Sequence, residues 1–346
     1  MGKAKGLLKK QVVMRRVLLA LAPCVFGATY FFGWRSLAIV LWAASVGFIV
    51  ELIFTRQRGE QVTEAVFVTT TLFALVMPPT VPWHVLTIGT VFAVMFAKEV
   101  FGGFGRNIFN PALAGRCFVY VCFPAALTAA WGPAADGPWG ALARWTTAST
   151  ADAIAGATPM AQLKAGRIVL DGEGDAVGNV PFDIPEDEVI SLRKLTLLKG
   201  LLFGRISGTM GVTSALLILI GGLYLFITKT ASRTTILSVV LTYAALNQLL
   251  YWLGVEPVPG AWPAVLGGGF LFGAFFMATD PVSSPRTEPA KVIYGIIIAV
   301  CTVVIRNFSI FNGGLMFSIL IGNMFAPILD YAVKARKSAG KGGGKS

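Results

Sequence analysis

Residues 206–228, ISGTMGVTSALLILIGGLYLFIT, form a continuous stretch without a charged side chain. A helix needs about 20 mainly apolar residues to cross the hydrocarbon core of a bilayer, and this stretch is long enough. Similar apolar stretches lie on both sides of it. The sequence therefore predicts an all-α polytopic membrane protein with about ten transmembrane helices, near residues 16–34, 36–54, 62–80, 84–101, 111–130, 206–228, 234–254, 262–279, 292–306 and 313–333.

The composition supports the membrane class. The 346 residues are 55% hydrophobic and only 13% charged, with a mean hydropathy of +0.72, whereas soluble domains carry about 25% charged residues. These values exclude an ordinary soluble enzyme, a disordered chain and a secreted disulfide scaffold. The four cysteines and the one histidine do not form a metal-binding pattern, so we expect no protein-bound metal.

Basic residues predict the orientation of the helices, because cytoplasmic flanks carry the excess of Lys and Arg. The tails at residues 1–15 and 334–346 are both rich in these residues, and an even number of spans returns both termini to the cytoplasm. The net charge of +12 is thus mostly an effect of topology. We expect no nucleic-acid partner, since no soluble domain offers a basic face.

One long connection, residues 131–195, interrupts the regular order of helices and is predicted to be extracytoplasmic. It contains nine of the seventeen acidic residues, and its turn signals and short apolar pieces favour a small folded insertion. It separates a first five-helix membrane half, residues 16–130, from a second, residues 196–333. Such a division is also typical of inverted repeats, although the two halves show no convincing match in sequence.

Several acidic residues lie in or beside the apolar stretches. An ionised side chain at mid-bilayer costs about 2.5–3.5 kcal/mol on insertion scales, so each is either functional or placed at the headgroups. We interpret Glu64 and the adjacent pair Lys98-Glu99 as headgroup charges. For Glu51, Asp280 and Asp330 the sequence leaves cation handling and a headgroup position equally open.

Glycine and proline interrupt the apolar stretches at several points. Irregular backbone at membrane depth persists only where protein or a cavity satisfies its polar groups. Packing or re-entrant turns would explain any one of these breaks, whereas several in one chain favour a central cavity. The break between the fourth and fifth predicted helices contains the candidate cavity residues Gly102, Gly103, Gly105, Asn107, Asn110 and Pro111.

Three motifs of the sequence are long and uncommon. They are FGGFGRNIFNPALAGR at residues 101–116, FMATDPVS at residues 276–283 and NMFAPILD at residues 323–330. Each resembles a signature of the NqrB/RnfD family, and the similarity extends from the second predicted helix to the tenth. Members of this family are the flavinylated membrane subunit of the sodium-pumping NADH:quinone reductase (Nqr), or the equivalent subunit of the Rnf ferredoxin:NAD⁺ reductase.

The resemblance implies a subunit of an ion-translocating oxidoreductase complex in the bacterial inner membrane. The expected partners are the other Nqr or Rnf subunits, a flavin transferase, quinone, and either Na⁺ or H⁺. We do not expect the chain to oxidise NADH alone, because it has no nucleotide-binding domain. Its length is closer to that of Rnf subunits, while residues 98–116 read more like Nqr, so the resemblance leaves both complexes open.

By the same resemblance, members of the family carry FMN joined through its phosphate to a threonine hydroxyl. The stretch DAIAGAT at residues 152–158 is similar to the attachment motif, and its matching residues are Asp152, Gly156, Ala157 and Thr158. Thr158 is therefore predicted to carry covalent FMN as a phosphoester. Ala153 and Ala155 depart from the glycine and the small hydroxyl residue of the family motif. A second flavin, such as riboflavin, is expected among the helices.

Family members also use acidic and aromatic side chains of the membrane helices for cation uptake. The matching positions in this sequence are Glu51, Asp280, Asp330, Phe272 and Phe276. In quinone-reducing members a pair of glycines precedes the acidic residue of the second helix. Gly47 matches the first glycine, whereas Phe48 replaces the second, so the match to the quinone region is partial.

Two other functions account for part of the sequence. A secondary transporter with a five-plus-five repeat explains the topology, the glycines and the buried acids, but it leaves the motif at residues 152–158 without a purpose. A non-redox scaffold explains the helices alone. Covalent flavin on the purified chain distinguishes an electron carrier from both alternatives.

Overall fold

The computed structural model describes residues 7–128, 132–135, 137–147, 159–166, 168–170, 190–204, 206, 208–267, 269–309, 311 and 313–342. The first part of the chain forms α1 Val12–Phe32, α2 Trp34–Arg58, α3 Ala65–Leu75, α4 Trp83–Val94, the π-helix π1 Met95–Glu99, α5 Pro111–Cys122, α6 Pro124–Thr128 and α7 Pro159–Lys164. The second part forms α8 Lys194–Phe203, α9 Ala215–Ile227, α10 Arg233–Trp252, α11 Ala261–Leu266, α12 Phe270–Phe272, the π-helix π2 Gly273–Met277, α13 Glu288–Phe308 and α14 Gly314–Gly342. Two parallel pairs of two-residue strands complete it, β1 Leu8–Lys9 with β2 Val62–Thr63, and β3 Ile168–Val169 with β4 Ile190–Ser191. The chain is therefore an all-helical polytopic membrane protein in its described part.

Five described helices are long and apolar enough to cross a membrane, namely α1, α2, α10, α13 and the part of α14 at residues 314–338. Shorter apolar helices occupy other predicted spans, among them α3, α5 and α9. Helix α3 is followed by Pro78-Pro79, and proline cannot continue the backbone hydrogen bonds of a helix. Helix α5 begins at Pro111, where the side chain of Asn110 accepts hydrogen bonds from the amides of Ala112 (3.1 Å) and Leu113 (3.4 Å). These sequence signals shorten the helices relative to the prediction.

The predicted span at residues 262–279 is broken into α11, α12 and π2. Gly269 precedes α12 with a φ of +72°, a left-handed conformation that glycine adopts without steric cost. Helix π2 then ends just before Thr279 and Asp280. The chain therefore approaches Asp280 through irregular backbone instead of a continuous helix.

Helix packing joins the two halves of the chain. In the first half α2 packs on α1, α3 and α4, and α4 packs on α5; in the second half α10 packs on α11 and α13, and α13 packs on α14. Helix α1 packs on α9, and α5 packs on α14. Both halves thus contribute to one apolar core.

The crossing of α1 and α9 depends on Gly221. A Cβ atom added at Gly221 would lie 1.9 Å from the carbonyl oxygen of Ala20. That oxygen belongs to the backbone of α1, so it cannot move aside as a flexible side chain would. The two helices can approach this closely only because position 221 has no side chain.

We expect Gly221→Leu to destabilise the protein by about 3 kcal/mol or more, because overpacking of a tight core costs about 1–3 kcal/mol even where neighbours can shift. The measurement is the temperature at which the detergent-solubilised protein loses its monodisperse gel-filtration peak. Gly260→Ala is the matched control, since the nearest atom to an added Cβ there is 3.7 Å away. Equal stability of the two variants would contradict the prediction.

The described part of the predicted extracytoplasmic segment packs against the helix ends. Ile168, Leu192, Leu197 and Leu201 belong to a small apolar cluster of their own. The Lys164 ammonium at the end of α7 donates to the backbone carbonyls of Arg306 (2.8 Å) and Ser309, at the C-terminal end of α13. Burial and the charge of Arg306 lower the pKa of Lys164. Helix α7 is therefore held on the end of α13.

Candidate functional site

A cavity of about 60 Å³ lies where α1, α3, the start of α5 and π2 meet. We call it the central cavity. Its polar and charged lining residues come from distant parts of the sequence. It brings together five of the residues predicted from the sequence and one charged residue that was not predicted to be functional: Asn107, Asn110, Pro111, Phe276, Asp280 and Lys98.

Asp280 supplies an unpaired carboxylate to the central cavity. Its side chain accepts hydrogen bonds from the hydroxyl of Ser283 (2.7 Å) and from the backbone amide of Val282 (3.3 Å). No lysine or arginine in the described ranges forms an ion pair with it. A carboxylate removed from water is costly unless a cation or a proton neutralises it, so the cavity has a carboxylate available for a cation.

Glu51 of α2 is only 1% exposed and is fully paired. One of its carboxylate oxygens, Oε2, accepts from the ammonium of Lys98 at 2.5 Å. The other, Oε1, accepts from the backbone amide (2.8 Å) and the hydroxyl (2.6 Å) of Thr63. The Lys98 ammonium also donates to the Thr63 hydroxyl, at 3.1 Å. The three side chains form a closed polar group between α2, β2 and π1.

The interpretation of Lys98-Glu99 as a headgroup pair is wrong, because Lys98 is 1% and Glu99 is 3% exposed. Glu99 pairs instead with Arg58 at the end of α2. Its other oxygen, Oε1, has no hydrogen-bond partner among the described residues. Glu64, interpreted in the same way, is also buried at 7% exposure and pairs with Arg15 at 2.5 Å. The partners of these charges lie 35 residues or more away along the chain, as for Lys98 and Thr63, so a local pattern could not reveal them.

The glycines of the break between π1 and α5 do not line the central cavity; they shape the loop around it. Gly102, Gly103 and Gly105 have φ values of +99°, +91° and +92°. A Cβ at Gly103 would lie 3.0 Å from a guanidinium nitrogen of Arg58. The loop therefore needs glycine both for its backbone conformation and for the space that the Arg58–Glu99 pair occupies.

Phe272, Phe276 and Gly47 were also predicted to be functional, and of these only Phe276 lines the central cavity. Phe276 lines the central cavity and packs on Phe272, with ring centroids 5.1 Å apart. Gly47 lies at the α2–α3 contact, where an added Cβ would be 2.3 Å from Thr70. Its predicted place in a quinone region stays a prediction.

Asp330 of α14 is not brought to the central cavity. It accepts hydrogen bonds from the backbone amides of Arg286 (2.8 Å) and Thr287 (2.9 Å) and from the hydroxyl of Thr287 (2.7 Å). These donors stand at the N-terminal end of α13, whose amides would otherwise be unpaired. The contacts of Asp330 are those of a helix cap, and its predicted part in cation uptake stays a prediction.

The predicted attachment motif with Asp152, Gly156, Ala157 and Thr158 lies outside the described residues. The chain is described again from Pro159, the first residue of α7.

Comparison with known proteins identifies relatives over most of the chain. A sequence model of the family described as "NQR2, RnfD, RnfE family" matches residues 5–339. A Na(+)-translocating NADH-quinone reductase subunit of Klebsiella pneumoniae (strain 342) is 37% identical over 331 residues, which cover 92% of this chain and 71% of the relative. The subunits of the same name from Pseudoalteromonas atlantica and Haemophilus influenzae (strain PittEE) are also 37% identical, over 90% and 89% of this chain and 69% and 67% of the relatives. The resemblance inferred from the three motifs is confirmed, and the chain belongs to the NQR2, RnfD, RnfE family.

Proposed function

We propose that this chain is the membrane subunit of a cation-translocating, flavin-based electron-transport complex that works in NADH:quinone oxidoreduction. It would hold FMN on Thr158 and conduct the cation past Glu51 and Asp280. The relatives are named as subunits of a Na(+)-translocating NADH-quinone reductase, which favours an Nqr-type complex over an Rnf-type one and Na⁺ over H⁺. The complex would be assembled with other subunits in the bacterial inner membrane.

The observation that carries this proposal is the charge balance around the central cavity. Glu51 pairs with Lys98, and Glu99 pairs with Arg58, which also pairs with the exposed Glu60. The half-buried Asp280 has no ion-pair partner among the described residues. Apart from the solvated Glu60, the group is one positive charge short. A mobile cation would supply that charge, since a carboxylate partly removed from water is unfavourable without a partner.

The size and lining of the cavity also fit a small cation. A cavity needs about 10–15 Å³ of such volume to hold one water molecule, so a volume of about 60 Å³ accepts a partly hydrated ion. Hydroxyls of Thr69, Thr230 and Thr279 belong to lining residues, and hard cations prefer oxygen ligands.

FMN at Thr158 would supply reversible electron transfer to the complex. A threonine hydroxyl can form a phosphoester, and the small residues Gly156 and Ala157 before it leave room for a flavin transferase. The chain thus contributes the acceptor hydroxyl.

A second flavin, such as riboflavin, stays an expectation from the family resemblance. We assign none of the described residues to it.

The finer topology belongs to the same proposal. We infer ten membrane crossings with both termini in the cytoplasm, because every predicted inner segment is basic. Part of the packing order recurs and supports a five-plus-five repeat: α2 packs on α3 and α4, and α4 on α5, as α10 packs on α11 and α13, and α13 on α14.

One purification tests the proposal. The complex is isolated from cells that also produce the flavin transferase, and its subunits are separated on a denaturing gel under ultraviolet light. A fluorescent band is expected for this 36.8 kDa chain, together with NADH:quinone turnover that rises with NaCl and not with equal KCl. A dark band would favour a secondary transporter or a scaffold, and turnover independent of Na⁺ would favour H⁺ as the cation.

A further inference from the structure

Lys98 pairs with one of the two carboxylates that the proposed function uses and lines the cavity that contains the other. It bonds Glu51 at 2.5 Å, and Lys98 also lines the central cavity together with Asp280. Its side chain is 2% exposed, so no solvent competes for it. The ammonium therefore occupies the place at Glu51 that a mobile cation would otherwise take.

The backbone that carries Lys98 is irregular. Lys98 belongs to π1, and the residue across the cavity, Phe276, belongs to π2. A π-helix is rare, mostly a single turn, and frequently occurs at functional sites. Both such turns in the described part of the chain border the same cavity.

We propose that Lys98 is a tethered cation that exchanges between Glu51 and the central cavity and competes there with the translocated cation. While Lys98 pairs with Glu51, the mobile cation binds at Asp280. When the ammonium turns into the cavity toward Asp280, Glu51 becomes the acceptor. The proposal rests on the proposed function. It adds that Lys98 determines which of the two carboxylates can bind the mobile cation.

Movement of the Lys98 ammonium from Glu51 to Asp280 leaves the net charge of the group around the cavity unchanged. Apart from the solvent-exposed Glu60, which also pairs with Arg58, the group contains three carboxylates, Glu51, Glu99 and Asp280, and two cations, Arg58 and Lys98. It is one positive charge short whichever carboxylate Lys98 occupies. Lysine suits this role because its ammonium is a point charge on a flexible four-carbon chain.

The simpler alternative is that the Lys98–Glu51 pair only clamps π1 to α2. The two interpretations differ in the number of Na⁺ ions that the protein binds. Both interpretations predict an additional Na⁺ in Lys98→Met, because Glu51 loses its partner there. Only an exchanging lysine predicts fewer bound Na⁺ in Glu51→Gln.

The experiment is equilibrium binding of radioactive Na⁺ to the purified complex at constant ionic strength with choline chloride, at a pH above neutral. Relative to wild type, Lys98→Met is expected to bind one Na⁺ more, because a second carboxylate loses its partner. Glu51→Gln is expected to bind one Na⁺ fewer, because Lys98 is then free to pair with Asp280. The double variant is expected to return to the wild-type number.

Lys291→Met is the matched control, since Lys291 pairs with Glu288, whose side chain is 64% exposed, and its loss should not change the number. A wild-type number of bound Na⁺ in Glu51→Gln would overturn the proposal in favour of a clamp. If Lys98→Met cannot be purified, Glu51→Gln alone decides between them. The number of bound Na⁺ ions is measured without turnover. A negative result therefore refutes the exchange of Lys98 and leaves the flavin and turnover experiment unaffected.

Discussion

Thr158→Ala is expected to abolish the ultraviolet fluorescence of this chain on a denaturing gel and to reduce NADH:quinone turnover of the complex to background. Alanine has no hydroxyl, so the phosphate of FMN cannot be esterified to it. Without the flavin, the electron path through the complex loses a carrier that no other described feature of the chain replaces. In-gel fluorescence and turnover are measured on the same preparation, made with the flavin transferase.

Two variants make this experiment specific. Thr150→Ala removes another threonine hydroxyl of the same segment and should leave both signals unchanged. Thr158→Ser keeps an acceptor hydroxyl and should restore at least part of the fluorescence. Fluorescence that persists in Thr158→Ala would place the flavin on another residue and would remove the basis for the electron-carrier function.

Asp280→Asn is expected to raise the Na⁺ concentration for half-maximal turnover at least about tenfold, equivalent to about 1.4 kcal/mol. The amide carries no charge, so the group around the central cavity is neutral without a mobile cation. Loss even of an outer partner of a metal ligand typically lowers metal affinity about 10–100-fold. The measurement is turnover of the complex as a function of NaCl at constant ionic strength.

Asp330→Asn is the informative comparison for Asp280→Asn. Asp330 caps α13 through Arg286 and Thr287. Asparagine keeps one acceptor oxygen and loses the other, so the variant costs less than removal of the whole cap, about 1 kcal/mol. We expect a lower thermal stability with an unchanged Na⁺ requirement. A Na⁺ requirement that rises as strongly as in Asp280→Asn would instead support the pathway role that the resemblance implies, and an unchanged requirement in Asp280→Asn would refute the cation site.

The helix breaks show where sequence reasoning was sufficient and where it was not. Pro78-Pro79, Asn110-Pro111 and the glycines near Gly269 were visible signals, yet hydropathy averages over about twenty residues and passes across them. The span predicted at residues 262–279 is therefore three short pieces in the structure. Proline, asparagine and glycine residues determine these helix ends, and they can be recognised when the sequence is examined residue by residue.

The buried charges could not be assigned in this way. Lys98 was interpreted as a headgroup charge because it stands at the end of an apolar stretch, next to Glu99. Its partner Glu51 lies 47 residues away on another helix. Whether a charge meets water or a carboxylate depends on which helices pack together.

The amino-acid sequence was enough to determine the membrane class, the helical content and the family, because long apolar stretches have few other stable solutions and the three motifs are specific. The tertiary structure alone decided that Lys98 is paired, that Asp280 has no ion-pair partner among the described residues, and that Asp330 caps a helix. The reason is physical: the free energy of a charge in a membrane protein is set by the groups within a few ångströms of it, and those groups are brought there by helices far apart in the chain.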